Sequence, residues 1–107
     1  MLMEIVTFDL RPGMTRDEVM EGARKVAPKW RAVPELVRKS FFYDPEANTA
    51  GAVYQWSDPA AADRWHDAAW RQSVRDAYGS EPRVQRLQMT LIADNEVGKT
   101  EEFAAPA

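Results

Sequence analysis

The chain has no cysteine and only one histidine among its 107 residues. The lack of cysteine excludes disulfides, a thiolate nucleophile, iron–sulfur clusters and any zinc or haem held by cysteine. A single histidine excludes a metal centre within one chain that needs two imidazole ligands. We therefore expect a function that uses no metal.

Several sequence patterns are absent as well. The phosphate-binding patterns GxGxxG and GxxxxGK[ST] and the nucleophile pattern GxSxG do not occur. The net charge of −3 disfavours binding to nucleic acid, which depends on Lys and Arg neutralising phosphates. No apolar run approaches the ~20 residues of a membrane span, and residues 1–10 lack the basic start of a signal peptide. We expect a cytoplasmic protein with no cofactor, no nucleic-acid partner and no membrane partner.

What is present is the composition of a folded domain. Hydrophobic residues make up 45% of the chain and charged residues 29%, which is typical of a globular protein. The length suits one domain. We expect this domain to cover residues 1–95 and to be followed by an acidic C-terminal tail over residues 96–107.

The pattern of apolar residues predicts four strands and two helices. Strands are expected over residues 2–10, 36–43, 50–56 and 84–93. Thr15 and Glu18 have the spacing of a capping box that opens the first helix, which Pro28 should end or kink. The second helix should run from an Asp58 cap to Gly79. Its two apolar stripes mean either that it breaks near residues 68–70 or that it is buried on two sides.

The order β-α-β-β-α-β predicts an α+β fold of the ferredoxin-like type. Such a fold has a four-stranded antiparallel sheet with both helices on one face. Bulky residues occur at both parities of the strands, as at Phe41 and Phe42, so both faces of the sheet should be covered. Since no remaining segment is large enough to do this, we expect a second copy of the chain, and hence a homodimer.

Two stretches resemble a known family. Pro34-Glu35-Leu36-Val37-Arg38-Lys39, and Ala50-Gly51-Ala52-Val53-Tyr54-Gln55-Trp56-Ser57-Asp58 with the helix after it, are similar to the YdhR-type monooxygenases. These belong to the dimeric α+β-barrel superfamily, with the antibiotic-biosynthesis and haem-degrading monooxygenases. The resemblance covers residues 3–95. It implies a ferredoxin-like protomer that dimerises sheet to sheet and has a pocket between sheet and helices.

The resemblance also implies an activity. Antibiotic-biosynthesis relatives oxygenate multi-ring phenols without metal or flavin, because the deprotonated substrate itself gives an electron to oxygen. The haem-degrading relatives pair a histidine with a Trp and an Asn on the first strand, and residues 2–10 contain no Asn. We therefore expect a cofactor-independent monooxygenase acting on a small aromatic or polyketide-like substrate.

Aromatic residues are the first candidates for a site, because pockets for flat ligands are lined by rings. Tyr54 can both stack and hydrogen-bond, so it is a candidate catalytic residue. The other candidate substrate contacts are Trp30, Tyr43, Trp56, Trp65 and Trp70. The alternative is that these rings only form the core and the dimer interface.

Two charged or titratable residues complete the predicted site. His66 has the one side chain whose ordinary pKa lies near neutrality, so it is the candidate general base. Arg38 could hold an anionic substrate, since its charge does not titrate. The alternatives are that His66 faces water and that the basic residues between 24 and 39 form a solvated helix end.

Two other functional classes stay open. The same fold could serve a non-catalytic dimeric ligand-binding or stress-response module, since one scaffold hosts many functions. An isomerase or cyclase is the third possibility. It would convert its substrate without oxygen.

Overall fold

The computed structural model describes residues 1–105. Six strands and three helices follow one another along this part of the chain: β1 (Leu2–Asp9), α1 (Arg16–Arg31), β2 (Leu36–Asp44), β3 (Thr49–Trp56), α2 (Pro59–Trp65), α3 (Ala68–Tyr78), β4 (Arg83–Gln88), β5 (Leu91–Asp94) and β6 (Lys99–Glu102). None of these helices is long and apolar enough to cross a membrane.

The main sheet has the strand order β2-β3-β1-β4, and every neighbouring pair is antiparallel. This confirms the predicted α+β, ferredoxin-like architecture, including the β2–β3 hairpin. Alternate residues of the central strands are buried, among them Val6 of β1 and Ala52 of β3. Trp30 of α1 and Val74 of α3 belong to the same buried cluster. The core therefore lies between one face of the sheet and the helices.

The first helix begins as predicted but does not end at Pro28. The Thr15 side chain accepts a hydrogen bond from the Glu18 amide, and the Glu18 carboxylate accepts one from the Thr15 amide. The helix continues through Pro28 to Arg31. Burial of Trp30, which is only 4% exposed, holds the last turn in place and outweighs the loss of one backbone hydrogen bond at proline.

The predicted second helix is two helices. The break lies at residues 66–67, slightly before the predicted one, so of the two alternatives the break is confirmed. Asp67 causes it, because its side chain accepts a hydrogen bond from the Trp70 amide at 2.9 Å and thereby caps α3. Asp58 and Gly79 cap the two outer ends as predicted, Gly79 with a φ of 77°.

The predicted single strand over residues 84–93 is two strands that belong to different sheets. β4 ends at Gln88, and β5 pairs with β6 in a separate two-stranded sheet. β6 lies within the segment 96–107 that the sequence assigned to an acidic tail. The last two residues of that segment lie outside the described residues.

Candidate functional site

A cavity of about 300 Å³ lies between the sheet and helices α1 and α3. Its floor contains small residues of β3, Ala50 and Ala52, which leave space under the helices. Aromatic rings from three elements form its walls, namely Trp30 of α1, Tyr54 of β3 and Trp70 of α3. A cavity with small side chains at its base and aromatic side chains around it can accept a flat apolar group.

Lys39 is the least exposed of the three lysines that line this cavity. Its register partner in the sheet is Tyr54, so the two side chains share a face. The Lys39 Nζ lies 4.4 Å from the ring centre of Trp30, 4.3 Å from that of Phe41 and 4.7 Å from that of Tyr54. No Asp or Glu is among the cavity's described lining residues. The amine is thus surrounded by rings rather than by carboxylates.

This environment changes the acidity of Lys39. Burial, and then the neighbouring charge of Lys29, lower the pKa of Lys39 to about 7. Both effects disfavour the ammonium form, and none of the ion pairs within residues 1–105 involves this amine. Near neutral pH the amine is therefore divided between its neutral and charged forms, which is the condition for a general base or a nucleophile.

Tyr54 is the register partner of Lys39, and its pKa changes in the direction that keeps its proton bound. It is 2% exposed and packs edge-on against Trp30 at 5.3 Å between ring centres. Burial, and then the nearby Glu4 carboxylate, raise the pKa of Tyr54 above its ordinary value. The phenol therefore keeps its proton and can only donate or accept a hydrogen bond.

Beneath the aromatic wall lies a buried carboxylate that the sequence analysis did not single out. Glu4 has no exposed surface. It accepts hydrogen bonds from Trp56 Nε1 at 3.0 Å and from Arg86 Nε at 2.8 Å. Burial raises the pKa of Glu4, but the contacts with His66, Arg86 and Trp56 outweigh it, so the pKa lies below its usual value. Glu4 is therefore an ionised, well-partnered group in the core.

His66 belongs to this buried network and not to the cavity. Its side chain is 1% exposed, and its Nδ1 lies 2.7 Å from a Glu4 oxygen, although not in line for a straight hydrogen bond. Its ring stacks on Trp70 at 3.9 Å and meets Tyr54 edge-on at 4.6 Å. Burial lowers the pKa of His66 in spite of the opposing effect of Glu4. The histidine thus packs against Tyr54 and Trp70, two of the rings that line the cavity.

The structure brings three of the predicted site residues to the cavity, namely Trp30, Tyr54 and Trp70. Trp56 is fully buried beside Glu4, and Trp65 lines a second, shallower pocket. Tyr43 packs against the cluster around Leu10.

Arg38 pairs with Gln55 in the sheet register, on the face opposite to Lys39. Sequence reasoning missed Lys39, although strand alternation places it on one face with Phe41 and Tyr43. A signal for Glu4 also existed, since it is the one charge among Leu2, Val6 and Phe8, which alternate on the buried face of β1. No group of three or more His, Asp or Glu in residues 1–105 is placed to hold a metal ion.

Comparisons with known proteins show what this fold is similar to. No protein-family model matches the chain, and no curated protein matches it significantly. A putative antibiotic biosynthesis monooxygenase from Bordetella bronchiseptica superposes with a TM-score of 0.65 at 19% identity, over 84% of this chain and 97% of that one. A second protein so named, from Deinococcus radiodurans, gives 0.64 at 8% identity, over 83% and 92%. At these identities the similarity establishes a shared fold, the ferredoxin-like α+β fold of these two proteins.

Proposed function

We propose that this protein is a cofactor-independent monooxygenase that acts on a small phenolic or polyketide-like aromatic compound. The observation that carries the proposal is the Lys39 amine, held against three rings in a cavity of about 300 Å³. That volume is at the lower end of the range for small-molecule sites and fits a compound of one to three rings. The names of the two proteins with the same fold support the reaction class.

The first step is removal of a proton from the substrate. The ring of the substrate stacks against Trp30 and Trp70, and its acidic O–H or activated C–H lies beside the neutral amine of Lys39. A base whose pKa lies near the working pH is the most effective, and the pKa of Lys39 is lowered to about 7. The resulting anion is stabilised by the newly formed ammonium and by a hydrogen bond from the protonated Tyr54 phenol.

The second step uses molecular oxygen as the co-substrate. The anion gives one electron to O₂, the two radicals combine into a C–O bond, and the Lys39 ammonium returns its proton to form a hydroperoxide. Cleavage of the O–O bond with loss of the remaining C–H proton releases water and leaves a carbonyl. One oxygen atom is in the product, the other is in water, and the substrate methylene supplies the electrons. The apolar cavity protects the intermediate from bulk water.

The buried network has a supporting part in this proposal. His66 touches both Tyr54 and Trp70, and Glu4 fixes His66 and Trp56 from below. We therefore assign His66 the role of a positioning residue and transfer the general-base role to Lys39. Trp30 and Trp70 remain the proposed substrate contacts.

We also propose that the chain works as a homodimer through the open face of its sheet. Apolar side chains alternate onto that face from neighbouring strands, for example Ile5 opposite Val53 and Met3 opposite Leu87. Leu87 is 43% exposed and Leu91 of the separate hairpin is 50% exposed. A lone two-stranded hairpin is only marginally stable in water, so burial against a second copy would stabilise it. Sedimentation equilibrium should give roughly twice the 12.2 kDa mass; a monomer at micromolar concentration would refute the dimer.

The activity is tested by oxygen uptake with dithranol, a tricyclic phenol with an activated methylene. We expect uptake of one O₂ per molecule of quinone formed, above the rate without protein. Lys39→Met should lower this rate at least about 100-fold, the usual contribution of a general base. The matched control is Lys99→Met, which removes an exposed lysine of β6 and should leave the rate unchanged.

Other outcomes identify the alternatives. A protein that binds dithranol but takes up no oxygen, either with dithranol or with a panel of naphthols, would favour a ligand-binding module. Conversion of a substrate under nitrogen would favour an isomerase or cyclase. Equal rates for Lys39→Met and wild type would refute the role of Lys39.

A further inference from the structure

The placement of Lys39 permits a second kind of chemistry, one in which the amine becomes covalently bound. A lysine that lies in an apolar pocket beside another cation is the arrangement that activates amines for attack on carbonyl groups. Lys39 has both features, since rings of Trp30, Phe41 and Tyr54 surround its Nζ and Lys29 approaches the same Trp30 ring at 5.0 Å. The other lysines of the chain, Lys25, Lys29 and Lys99, are exposed.

We propose that Lys39 forms an imine with aromatic aldehydes or ketones that enter the cavity. This activity goes beyond the proposed oxygenation, which needs only proton transfer and no covalent bond to the protein. It requires no oxygen. It assigns the cavity a second class of ligand, a carbonyl compound with an aromatic ring.

Imine formation needs only the Lys39 amine, the ligand carbonyl and a hydrogen-bond donor, and it releases one water molecule. The neutral Nζ attacks the carbonyl carbon, one N–H proton moves to the carbonyl oxygen, and a carbinolamine results. The C–O bond then breaks, and the oxygen leaves as water with the second N–H proton, which gives a C=N bond. The Tyr54 hydroxyl, whose raised pKa keeps it protonated, can hydrogen-bond the carbonyl oxygen during the attack. The ligand ring meanwhile occupies the space between Trp30 and Trp70.

The absence of carboxylates around the amine leaves Lys39 free to lose its proton, and its lower exposure distinguishes it from Lys25 and Lys29, which line the same cavity. A carboxylate beside the amine would hold it as an ammonium ion, which cannot attack a carbonyl. The cavity's described lining has lysines but no acidic side chain. With the pKa of Lys39 lowered to about 7, about half of the amine is neutral at pH 7, against less than about 0.1% for an ordinary lysine. The lower basicity offsets part of this advantage, so we expect a rate advantage of at least about tenfold.

The test is reductive trapping of the whole chain with naphthaldehyde and cyanoborohydride at pH 7, under nitrogen. Intact mass gives the number of adducts, and peptide mapping gives the rate at each of the four lysines, which are Lys25, Lys29, Lys39 and Lys99. We expect Lys39 to react at least tenfold faster than Lys99. The α-amine of Met1 is mapped separately as an internal reference.

Two further experiments distinguish the effect of ring binding in the cavity from the effect of the lowered Lys39 pKa on the trapping rate. Propanal, which has no ring, should show a smaller preference for Lys39 over Lys99 than naphthaldehyde shows. Lys29→Met removes a charge that lowers the pKa of Lys39, so trapping at Lys39 should slow at pH 7 and its pH profile should move upward. Lys39→Arg should abolish the fast phase and leave slow labelling of the remaining lysines.

Equal trapping rates at Lys39 and Lys99 in the wild-type protein would overturn the proposal, whatever the variants do. A preference for Lys29 or Lys25 would overturn it as well. The proposed oxygenation fails or succeeds separately, because trapping uses neither oxygen nor a phenol. Fast labelling of Lys39 in a protein that takes up no oxygen with any phenol would support the imine and refute the oxygenase.

Discussion

Replacing Lys39 by methionine should make the protein more stable, and the gain should depend on pH. The amine lies in an apolar cavity without a carboxylate partner in residues 1–105, and its pKa falls from 10.5 to about 7. Between these two pH values the unfolded chain holds a proton that the folded protein does not hold. Folding stability is therefore lost as the pH falls from 10.5 to about 7, and the full penalty applies below pH 7.

The size of the effect follows from this difference in pKa. At about 1.36 kcal/mol per pH unit, the penalty has an upper limit of about 5 kcal/mol. Partial contact with water at the cavity mouth reduces it, so we expect about 1–3 kcal/mol in practice. Methionine has a similar length and no charge, and it can fill the same space beside Trp30 and Phe41.

Urea unfolding followed by tryptophan fluorescence measures this directly. We expect Lys39→Met to raise the free energy of unfolding by about 1–3 kcal/mol at pH 6 and by much less at pH 10. Lys99→Met, at an exposed position, should change it by less than about 0.5 kcal/mol at both pH values. A gain that is equal at pH 6 and pH 10 would mean that the amine is not desolvated. A loss of stability at pH 6 would contradict the reasoning altogether.

Other predictions concern the buried network and the sheet. Glu4→Ala should cost about 2–4 kcal/mol in urea unfolding, because it leaves a cavity in the core and removes the acceptor of the fully buried Trp56 Nε1; a cost below about 1 kcal/mol would contradict this reasoning. The pKa of His66 is lowered from 6.5 and that of Glu4 from 4.5, so the melting temperature should fall as the pH drops below 6.5 and again below 4.5; an unchanged melting temperature between pH 7 and pH 4 would be inconsistent with both shifts. Gly51→Ala should prevent normal folding, because the new Cβ would lie 1.8 Å from the Val6 carbonyl oxygen; circular dichroism and solubility would report it, and a folded variant would show that this contact can relax.

The sequence was sufficient for the main sheet because its signals are local. Alternation sets the buried face of each strand, and caps such as Thr15, Asp58 and Gly79 fix the helix ends. Pro28 misled the prediction, since burial of Trp30 decides where α1 ends. That burial depends on the whole fold, which no local pattern contains.

The two hairpin turns of the chain share a sequence pattern. In the β2–β3 turn the Asp44 carboxylate accepts hydrogen bonds from the amides two and three residues later, and the turn closes with Asn48 at a φ of 52°. In the β5–β6 turn Asp94 accepts the equivalent bonds and Gly98 has a φ of 69°. The two turns thus share an Asp at the start and a left-handed residue four positions later. A comparison of residues 44–48 with 94–98 would have predicted this hairpin from sequence.

The candidate site was less predictable, because its properties arise from packing between distant segments. The chain has 11 aromatic residues, and nothing in their spacing tells which of them border empty space. His66 attracted attention as the only histidine, but its location behind Tyr54 and Trp70 follows from the break between α2 and α3. Lys39 is an ordinary lysine by sequence. Its acidity comes from rings contributed by α1 and β3.

The surroundings of Glu4 and Lys39 differ in a way that bears on function. Glu4 is fully enclosed, but its oxygens are partnered by Trp56 and Arg86 and lie against His66, so it can rigidify the core without remaining reactive. Lys39 is held among rings with no ion pair in the described part of the chain. An apolar side chain would fit among the rings of Trp30, Phe41 and Tyr54 and would stabilise the fold. The amine therefore lowers the folding stability at the position where these three rings meet. Such a cost is expected where a side chain must stay unpaired in order to react. The proposed chemistry at Lys39 gives a reason for that cost, whereas a purely structural role for the cavity does not.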